Sequence, residues 1–236
     1  MNPIPQAFDW LAGAAPHAHL AQLRRSGKLA KLLPEVDALY GVPQSAEYHP
    51  EIDTGVHIEL TLEAAALLSD SPAVRFAALV HDLGKALTPP DQWPKHVDHE
   101  SQGLVPVAAV CDRFAVPEDW RKLALLVCEY HLHAHRAFEM NPKSVVRFFR
   151  NTGLEEQPQL LEPFLLAVEA DKRGRAGRLY SGYPQGRYLA DAFEVVRSTP
   201  MTADVTTPEG QDVHNMRLHL IRQVRDRHQP SENQFF

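Results

Sequence analysis

Residues 73–85 read AVRFAALVHDLGK, and this stretch decides the fold. Phe76, Ala77, Val80 and Gly84 recur at helical spacing, so a helix beginning near Ala73 buries one face. It ends in His81-Asp82, which sets a neutral nitrogen donor beside an anionic oxygen donor. Neighbouring side chains on a helix diverge by about 100°, so both reach one ion only if it sits between their two directions. Asp82 can bridge two ions or hold one ion and a water. Gly84 leaves room nearby for a substrate, and Lys85, one turn beyond His81, is placed to meet a phosphate. The same residues also read as an ordinary helix C-terminus, where the helix dipole favours His and Lys.

Working outward, the same period recurs in His57, Leu60, Ala64, Leu67 and Leu68. It returns in Leu123, Leu126, Val127 and Tyr130, and again in Phe164, Ala167, Val168 and Asp171. Strand-like alternation is scarce. Turn signals at Ser71-Pro72, Pro89-Pro90, Val116-Pro117 and Asn141-Pro142 separate the stripes, and Pro163 falls in the first turn of its helix. The expectation is an all-α bundle of about eight or nine helices. Residues 1–45 form a helical leader with an amphipathic pair around Leu20 to Leu33, and residues 46–198 form the main domain. Residues 199–236 form a linker from Pro200 to Gln211, a helix over Met216 to Val224 and a disordered tail.

The chain has 236 residues, 44% hydrophobic and 23% charged, enough for a sizeable buried core. The longest apolar run, Leu123 to Cys128, is far short of a membrane span, and the first residues show no signal-peptide pattern. A cytoplasmic protein is expected, with no membrane partner. Cys111 and Cys128 both sit in apolar helical patterns and read as buried thiols. A net charge of −6 argues against a generally basic nucleic-acid binder. The composition stands out in one respect, its 13 histidines, and their positions decide what they do.

His57 lies on the apolar face of its helix, where a core histidine is the plain alternative. Asp171 continues an apolar face, which is costly unless the carboxylate is paired or metal-bound. Lys172, Arg173 and Arg175 follow it too closely to face it well on a helix. His131 and His135 are four apart on one helical face, which suits a shared ion or a phosphate. The zinc-protease helix pattern fails because Leu132, and not Glu, follows His131. His17, His19, His49 and His96 read as solvated surface groups.

The order His57, His81-Asp82, Asp171 resembles the HD superfamily of metal-dependent phosphohydrolases. Within it the chain is similar to the HD domain of bacterial tRNA CCA-adding enzymes. That similarity rests on Leu33-Pro34-Glu35-Val36-Asp37, Gly41-Val42-Pro43-Gln44 and residues 49–57 (HPEIDTGVH). Residues 81–85, Leu87-Thr88-Pro89-Pro90, Trp93-Pro94, Glu169-Ala170-Asp171, Arg173-Gly174-Arg175 and Tyr183-Pro184-Gln185-Gly186-Arg187 continue it. The resemblance covers roughly residues 20 to 226.

It implies His57, His81, Asp82 and Asp171 as ligands of a divalent transition metal, and 2′,3′-cyclic phosphodiesterase, 2′-nucleotidase and phosphatase activities. His99 and His131 resemble the family's additional histidines, which hold a second metal or contact phosphate. The nitrogen and oxygen donors suit Ni, Mn, Co, Fe or Zn, as one or two ions. Asp82 is expected to hold the metal and orient a water. Lys85, His135, Arg175 and Arg187 are expected to bind the phosphate, and His99 or His131 to protonate the leaving group.

The residues before the HD-like region contain neither the Gly-Ser loop nor the paired carboxylates of a nucleotidyltransferase. Nucleotide addition by this chain alone is therefore not expected, and the chain reads as either a stand-alone HD protein, the preferred expectation, or an excised domain. The expected partners are a nucleotide or phosphoester substrate and tRNA or RNA 3′ ends. Two alternatives stand beside this reading. One is a nucleotidase for free mononucleotides or deoxynucleotides. The other is a non-catalytic tRNA-binding module using Lys172, Arg173, Arg175 and Arg178, with Arg147 and Arg150 as a second basic pair. A (p)ppGpp hydrolase fits less well. The sequence leaves the oligomeric state open.

Overall fold

The computed structural model describes residues 5–199 and 207–229. Among them the architecture is all-α, as expected: eleven α-helices, nine of them nine residues or longer, and several short 3-10 turns. The β-type pairing among these residues is a single antiparallel bridge between Pro43 and Asp53. No helix of the described residues is long and apolar enough to cross a membrane.

The chain divides into two compact units. The first comprises Met1–His131 and Pro163–Ser181. It holds α1 (Pro16–Arg25), the one-turn helices α2 (Leu29–Leu32) and α3 (Pro34–Asp37), α4 (Thr54–Leu68), α5 (Pro72–Val80) and α6 (His99–Arg113). Most of α7 (Glu118–His135) and of α9 (Leu161–Arg173) also belongs to it. The second unit comprises Leu132–Glu162 and Gly182–Phe236, with α8 (Pro142–Asn151), α10 (Pro184–Ser198) and α11 (Pro208–His228) packed on one another.

In the first unit, α4 packs between α1 and α5, and the 3-10 turn Gln6–Ala12 lies on α5. Phe8 stacks edge-on against Phe76 at 4.9 Å. The N-terminal helices are part of this core, since Phe8, Leu11, Leu20, Leu29, Leu33 and Leu39 are fully buried. Cys111 and Cys128 are buried free thiols, as read from their apolar settings.

In α4, Asp53 caps the N-terminus by accepting from the Val56 amide at 3.0 Å. Pro72 at the start of α5 matches the rule that proline fits a first turn. Helix α11 begins at Pro208, inside the stretch expected to be linker to Gln211. Thr207 accepts from the Gly210 amide at 3.1 Å, proline follows, and Glu209 lies in the first turn. These are N-terminal signals that the absence of an apolar stripe concealed. Residues 200–206 of the expected linker and 230–236 of the expected tail lie outside the described residues.

Candidate metal centre

Helices α4, α5, α6, α7 and α9 each deliver one or more side chains to a buried polar cluster in the first unit. His57 comes from the second turn of α4, one turn past its Asp53 cap. His81 is the residue that closes α5, and Asp82 follows it into the 3-10 turn Leu83–Leu87. His99 opens α6, His131 sits late in α7, and Asp171 ends the buried face of α9.

Two close backbone approaches bring these elements together. A Cβ at Gly84 would lie 1.9 Å from the His99 carbonyl oxygen, so only glycine lets the turn after Asp82 touch the start of α6. The expectation that Gly84 leaves space for a substrate is therefore corrected: the space is taken by α6. Similarly, a Cβ at Gly174 would lie 2.3 Å from Thr61 Oγ1, so glycine lets the end of α9 meet α4 beside His57.

His57, His81, Asp82, His99, His131 and Asp171 are all at most 4% exposed. Asp82 divides the group. Its Oδ2 lies 3.2 Å from His81 Nε2, 3.8 Å from His57 Nε2 and 2.7 Å from Lys85 Nζ. Its Oδ1 lies 3.3 Å from His99 Nε2 and 3.6 Å from His131 Nε2. Asp171 Oδ1 is 3.0 Å from His57 Nε2 and 3.8 Å from His81 Nε2. Lys85 is buried in the cluster and donates to Gln44 Oε1 at 2.8 Å.

The tautomers follow from the other ring nitrogens. Nδ1 of His81 donates to the Ala78 carbonyl at 2.9 Å, and Nδ1 of His99 donates to the His96 carbonyl at 2.9 Å. His131 Nδ1 donates to the Val127 and Cys128 carbonyls at 3.1 Å. In the neutral rings, each Nε2 then carries a lone pair directed into the cluster. Nε2 of His99 and Nε2 of His131 face each other at 3.4 Å, a spacing that a shared proton or a nearby cation favours. His81 Nε2 and both Asp82 oxygens are buried with no hydrogen bond among the described residues.

These features fit a divalent ion. An ion with ligand bonds of about 2.0–2.2 Å spaces its donor atoms about 3 Å apart, close to the distances found. His57, His81 and Asp171 form one triad of suitably close donor atoms, and His81, Asp82 and His131 form another.

The electrostatics agree with that geometry. Burial opposes ionisation of Asp82, but His81, Lys85 and His99 outweigh it and hold the carboxyl well below the usual carboxylate range. Burial pushes His131 well below the usual imidazole range, so it is neutral. Burial also works against a charge on His57, yet Asp171 and Glu51 raise it to about 9. In the metal-free protein a proton on His57 Nε2 therefore sits where the ring meets Asp171. Of the basic residues that follow Asp171 in sequence, Arg173 pairs with Glu169.

Arg175 is half-buried next to this cluster, close enough to lower the basicity of His49. His135 and Arg187 belong to the second unit. There His135 Nδ1 meets the Tyr183 hydroxyl at 3.2 Å, the His135 carbonyl accepts from Gln185 at 3.3 Å, and Arg187 is exposed on α10.

Two histidines read as surface groups are not solvated. The His49 side chain is 12% exposed and bonds Glu51 Oε1 through Nδ1 at 3.0 Å, and burial lowers its pKa to about 4. His96 is 2% exposed and ties Thr88 Oγ1 at 2.6 Å to the Pro43 carbonyl at 2.8 Å. The physical reason is loop geometry: Ile52, His96 and Asp98 take positive φ and fold their loops inward. Of the others, His17 is half-buried and His19 is exposed, its ring stacked on Trp10 at 5.1 Å. Sequence reasoning also missed Glu51 and Gln44. The signal for Glu51 was a carboxylate between two histidines, in a loop it did not suspect of being buried.

An all-α unit with a buried His/Asp cluster spread over five helices defines the class of protein. The HD domain family matches residues 54–172, from the first residue of α4 to the residue after Asp171. The chain belongs to the HD-domain family, whose members are metal-dependent phosphohydrolases. Among curated proteins it is similar to the Multifunctional CCA protein of Xanthomonas campestris pv. campestris (strain B100), 44% identical over 221 residues. That match spans 91% of this chain and 54% of the relative. The protein of the same name from Halorhodospira halophila is 45% identical over 214 residues, 89% of this chain and 52% of the relative. That of Shewanella frigidimarina is 47% identical over 185 residues, 78% of this chain and 45% of the relative. The chain thus spans about half the length of the curated relatives it matches.

Proposed function

We propose that the chain is a metal-dependent phosphohydrolase acting on 2′,3′-cyclic phosphates, 2′-nucleotides and small phosphomonoesters, with tRNA or RNA 3′ ends as its macromolecular substrates. The observation that carries this reading is the buried Asp82 carboxylate, paired with Lys85 at one oxygen and facing four imidazole Nε2 atoms. Such a group is unfavourable as a purely structural core and is what a divalent cation requires. The similarity to proteins named Multifunctional CCA protein supports this reading.

In this reading His57, His81, Asp82 and Asp171 hold the ion. When bound, it supplies Lewis acidity and makes a water a better nucleophile near neutral pH. Asp82 offers one oxygen to each side of the cluster, which suits one ion or two. His131, neutral and buried, acts as a ligand on the second side. His99 is placed to act as the general acid: in its imidazolium form the Nε2 proton would go to the leaving alkoxide. Lys85, ion-paired with Asp82 and donating to Gln44, keeps an N–H to offer to a phosphoryl oxygen. Arg175, close in sequence to Lys172 and Arg178, draws the phosphate in.

The test is a hydrolysis panel with 2′,3′-cyclic AMP, 2′-AMP, 3′-AMP, 5′-AMP and an aryl phosphate, each with Ni, Mn, Co, Zn or Mg. The expected result is turnover of the cyclic and 2′-phosphates, abolished in His81→Ala. Selective turnover of 5′-AMP would replace this reading with a mononucleotide nucleotidase. Silence on every substrate with salt-sensitive tRNA binding would replace it with a binding module.

A further inference from the structure

Glu51 is outside the ligand set, in the loop between α3 and α4, yet its side chain is 2% exposed. One oxygen, Oε1, lies 3.0 Å from His49 Nδ1, 3.1 Å from His57 Nδ1 and 3.4 Å from Gln44 Nε2. The other, Oε2, accepts from the Ala176 amide at 3.1 Å. Gln44 in turn accepts from Lys85, which pairs with Asp82. A continuous polar chain therefore runs from Asp82 through Lys85, Gln44 and Glu51 to His57 and Asp171.

The loop that carries Glu51 is held against its own preference. Ile52 has φ of 61°, left-handed geometry that is strained for a β-branched residue. It is fixed there by the Pro43–Asp53 bridge and by the Gln44 amide, which donates to the Ile52 carbonyl at 2.7 Å. The result of that strain is a carboxylate aimed at the far side of the His57 ring.

We propose that Glu51 is a positioning residue of the metal centre, holding His57 with Nε2 turned toward Asp171 and Asp82. This rests on reading the cluster as a metal centre. The His57 Nδ1–H donates to the Gly174 carbonyl at 2.9 Å, with Glu51 Oε1 beside the same nitrogen. Glu51 also grips the turn that presents the Gly174 carbonyl, through the Ala176 amide. It thus fixes the ring directly and fixes the ring's other acceptor. His49, edge-on to His57 at 4.6 Å between centroids, blocks the ring from swinging away. His49, Glu51 and His57 also lie close enough to hold an ion of their own. That alternative fails because the His57 Nδ1 proton is committed to the Gly174 carbonyl. A carboxylate behind a metal-bound imidazole sets its orientation and raises its basicity, and losing one costs about 10–100-fold in metal affinity.

The test compares wild type, Glu51→Gln and Glu51→Ala in two measurements on the full chain. One is the Kd for Ni(II) and for Mn(II) by calorimetry. The other is the ring ¹⁵N–¹H correlation spectrum of the histidines in metal-free protein. Glu51→Ala is expected to weaken Kd by about 10–100-fold and to lose the His57 Nδ1–H resonance to solvent exchange. Glu51→Gln, which keeps an acceptor oxygen, should restore part of both. Should Glu51→Ala fail to fold, Glu51→Gln alone decides, with a weakened Kd and a shifted resonance expected. Wild-type Kd and an unchanged His57 resonance in the variants would overturn the proposal. Failure of wild type to bind either ion would overturn the metal reading instead, and the His57 resonance would still decide whether Glu51 holds the ring.

Discussion

Helix α5 has a buried charged group in its first turn and another just past its last, and the two are treated in opposite ways. Arg75 is 3% exposed, and its guanidinium donates to the carbonyls of Ser69, Leu11 and Gly13 at 2.8, 2.7 and 2.9 Å. It also reaches the Ala66 carbonyl and Asp70 at 3.4 Å. At the other end, Asp82 is just as buried, and apart from the Lys85 ammonium 2.7 Å from Oδ2 its oxygens face the Nε2 atoms of four imidazoles. Burying a charge is costly unless it is satisfied. The Arg75 end satisfies it with protein groups and ties the N-terminal segment to the core. The Asp82 end answers it with one ammonium, from Lys85, and gathers imidazole nitrogens that could share an ion. One end ties segments of the fold together; the other gathers groups that could hold a metal ion.

The largest effect that would sharpen this contrast is at Asp82. Asp82→Ala should lower phosphoesterase turnover by at least about 10³-fold, roughly 4 kcal/mol of transition-state stabilisation, with an unchanged helical circular dichroism spectrum. Retained turnover would remove the contrast. At the other end, Arg75→Leu should cost about 3 kcal/mol of stability, because buried carbonyls lose their donor. That corresponds to a fall in Tm of roughly 6–12 °C, with turnover per folded molecule unchanged at 20 °C. A metal-affinity loss exceeding the stability loss would show that the two ends are not independent.

The next effect is a pH dependence. The His57 pKa, raised to about 9 in the metal-free protein, stabilises the fold below the ordinary imidazole value, and that stabilisation is lost as pH rises through about 9. A bound ion must displace the same proton. Metal affinity should therefore tighten by up to tenfold per pH unit between about 6.5 and 9, with about one proton released per ion in calorimetry across buffers. An affinity independent of pH in that window would separate His57 from the metal.

The smallest effect comes from an ion pair that needs no burial. Arg113 holds Glu35 below its ordinary value through bonds of 2.6 and 2.8 Å at the surface. Its contribution is present above the ordinary carboxylate value and disappears as pH falls through the lowered one. Solvent screening limits Glu35→Gln to less than about 1 kcal/mol in denaturant melts.

The contrast also explains what could be read from the sequence. AVRFAALVHDLGK showed α5, the helix end and the His-Asp pair, because helical periodicity and local chemistry are written in adjacent residues. Asp171 was legible for the same reason: a carboxylate on an apolar stripe is conspicuous. Glu51, His49 and His96 were not. Their burial depends on loops turned inward at Ile52 and His96 by positive φ and on pairings such as Gln44 with Ile52, which no residue pattern announces. Gly84 was noticed but misassigned, since its purpose is the approach of α6, an element about fifteen residues further along the chain. The start of α11 was obscured because polar capping residues, and not an apolar stripe, mark it.

The most direct measurement of the central claim is X-ray absorption at the metal edge of the Ni(II)-loaded protein, beside Asp82→Ala. The account predicts a stoichiometric ion in a mixed nitrogen and oxygen shell, with the multiple-scattering signature of imidazole and a marked loss of occupancy in the variant. An ion bound only by oxygen, or bound equally well without Asp82, would contradict it.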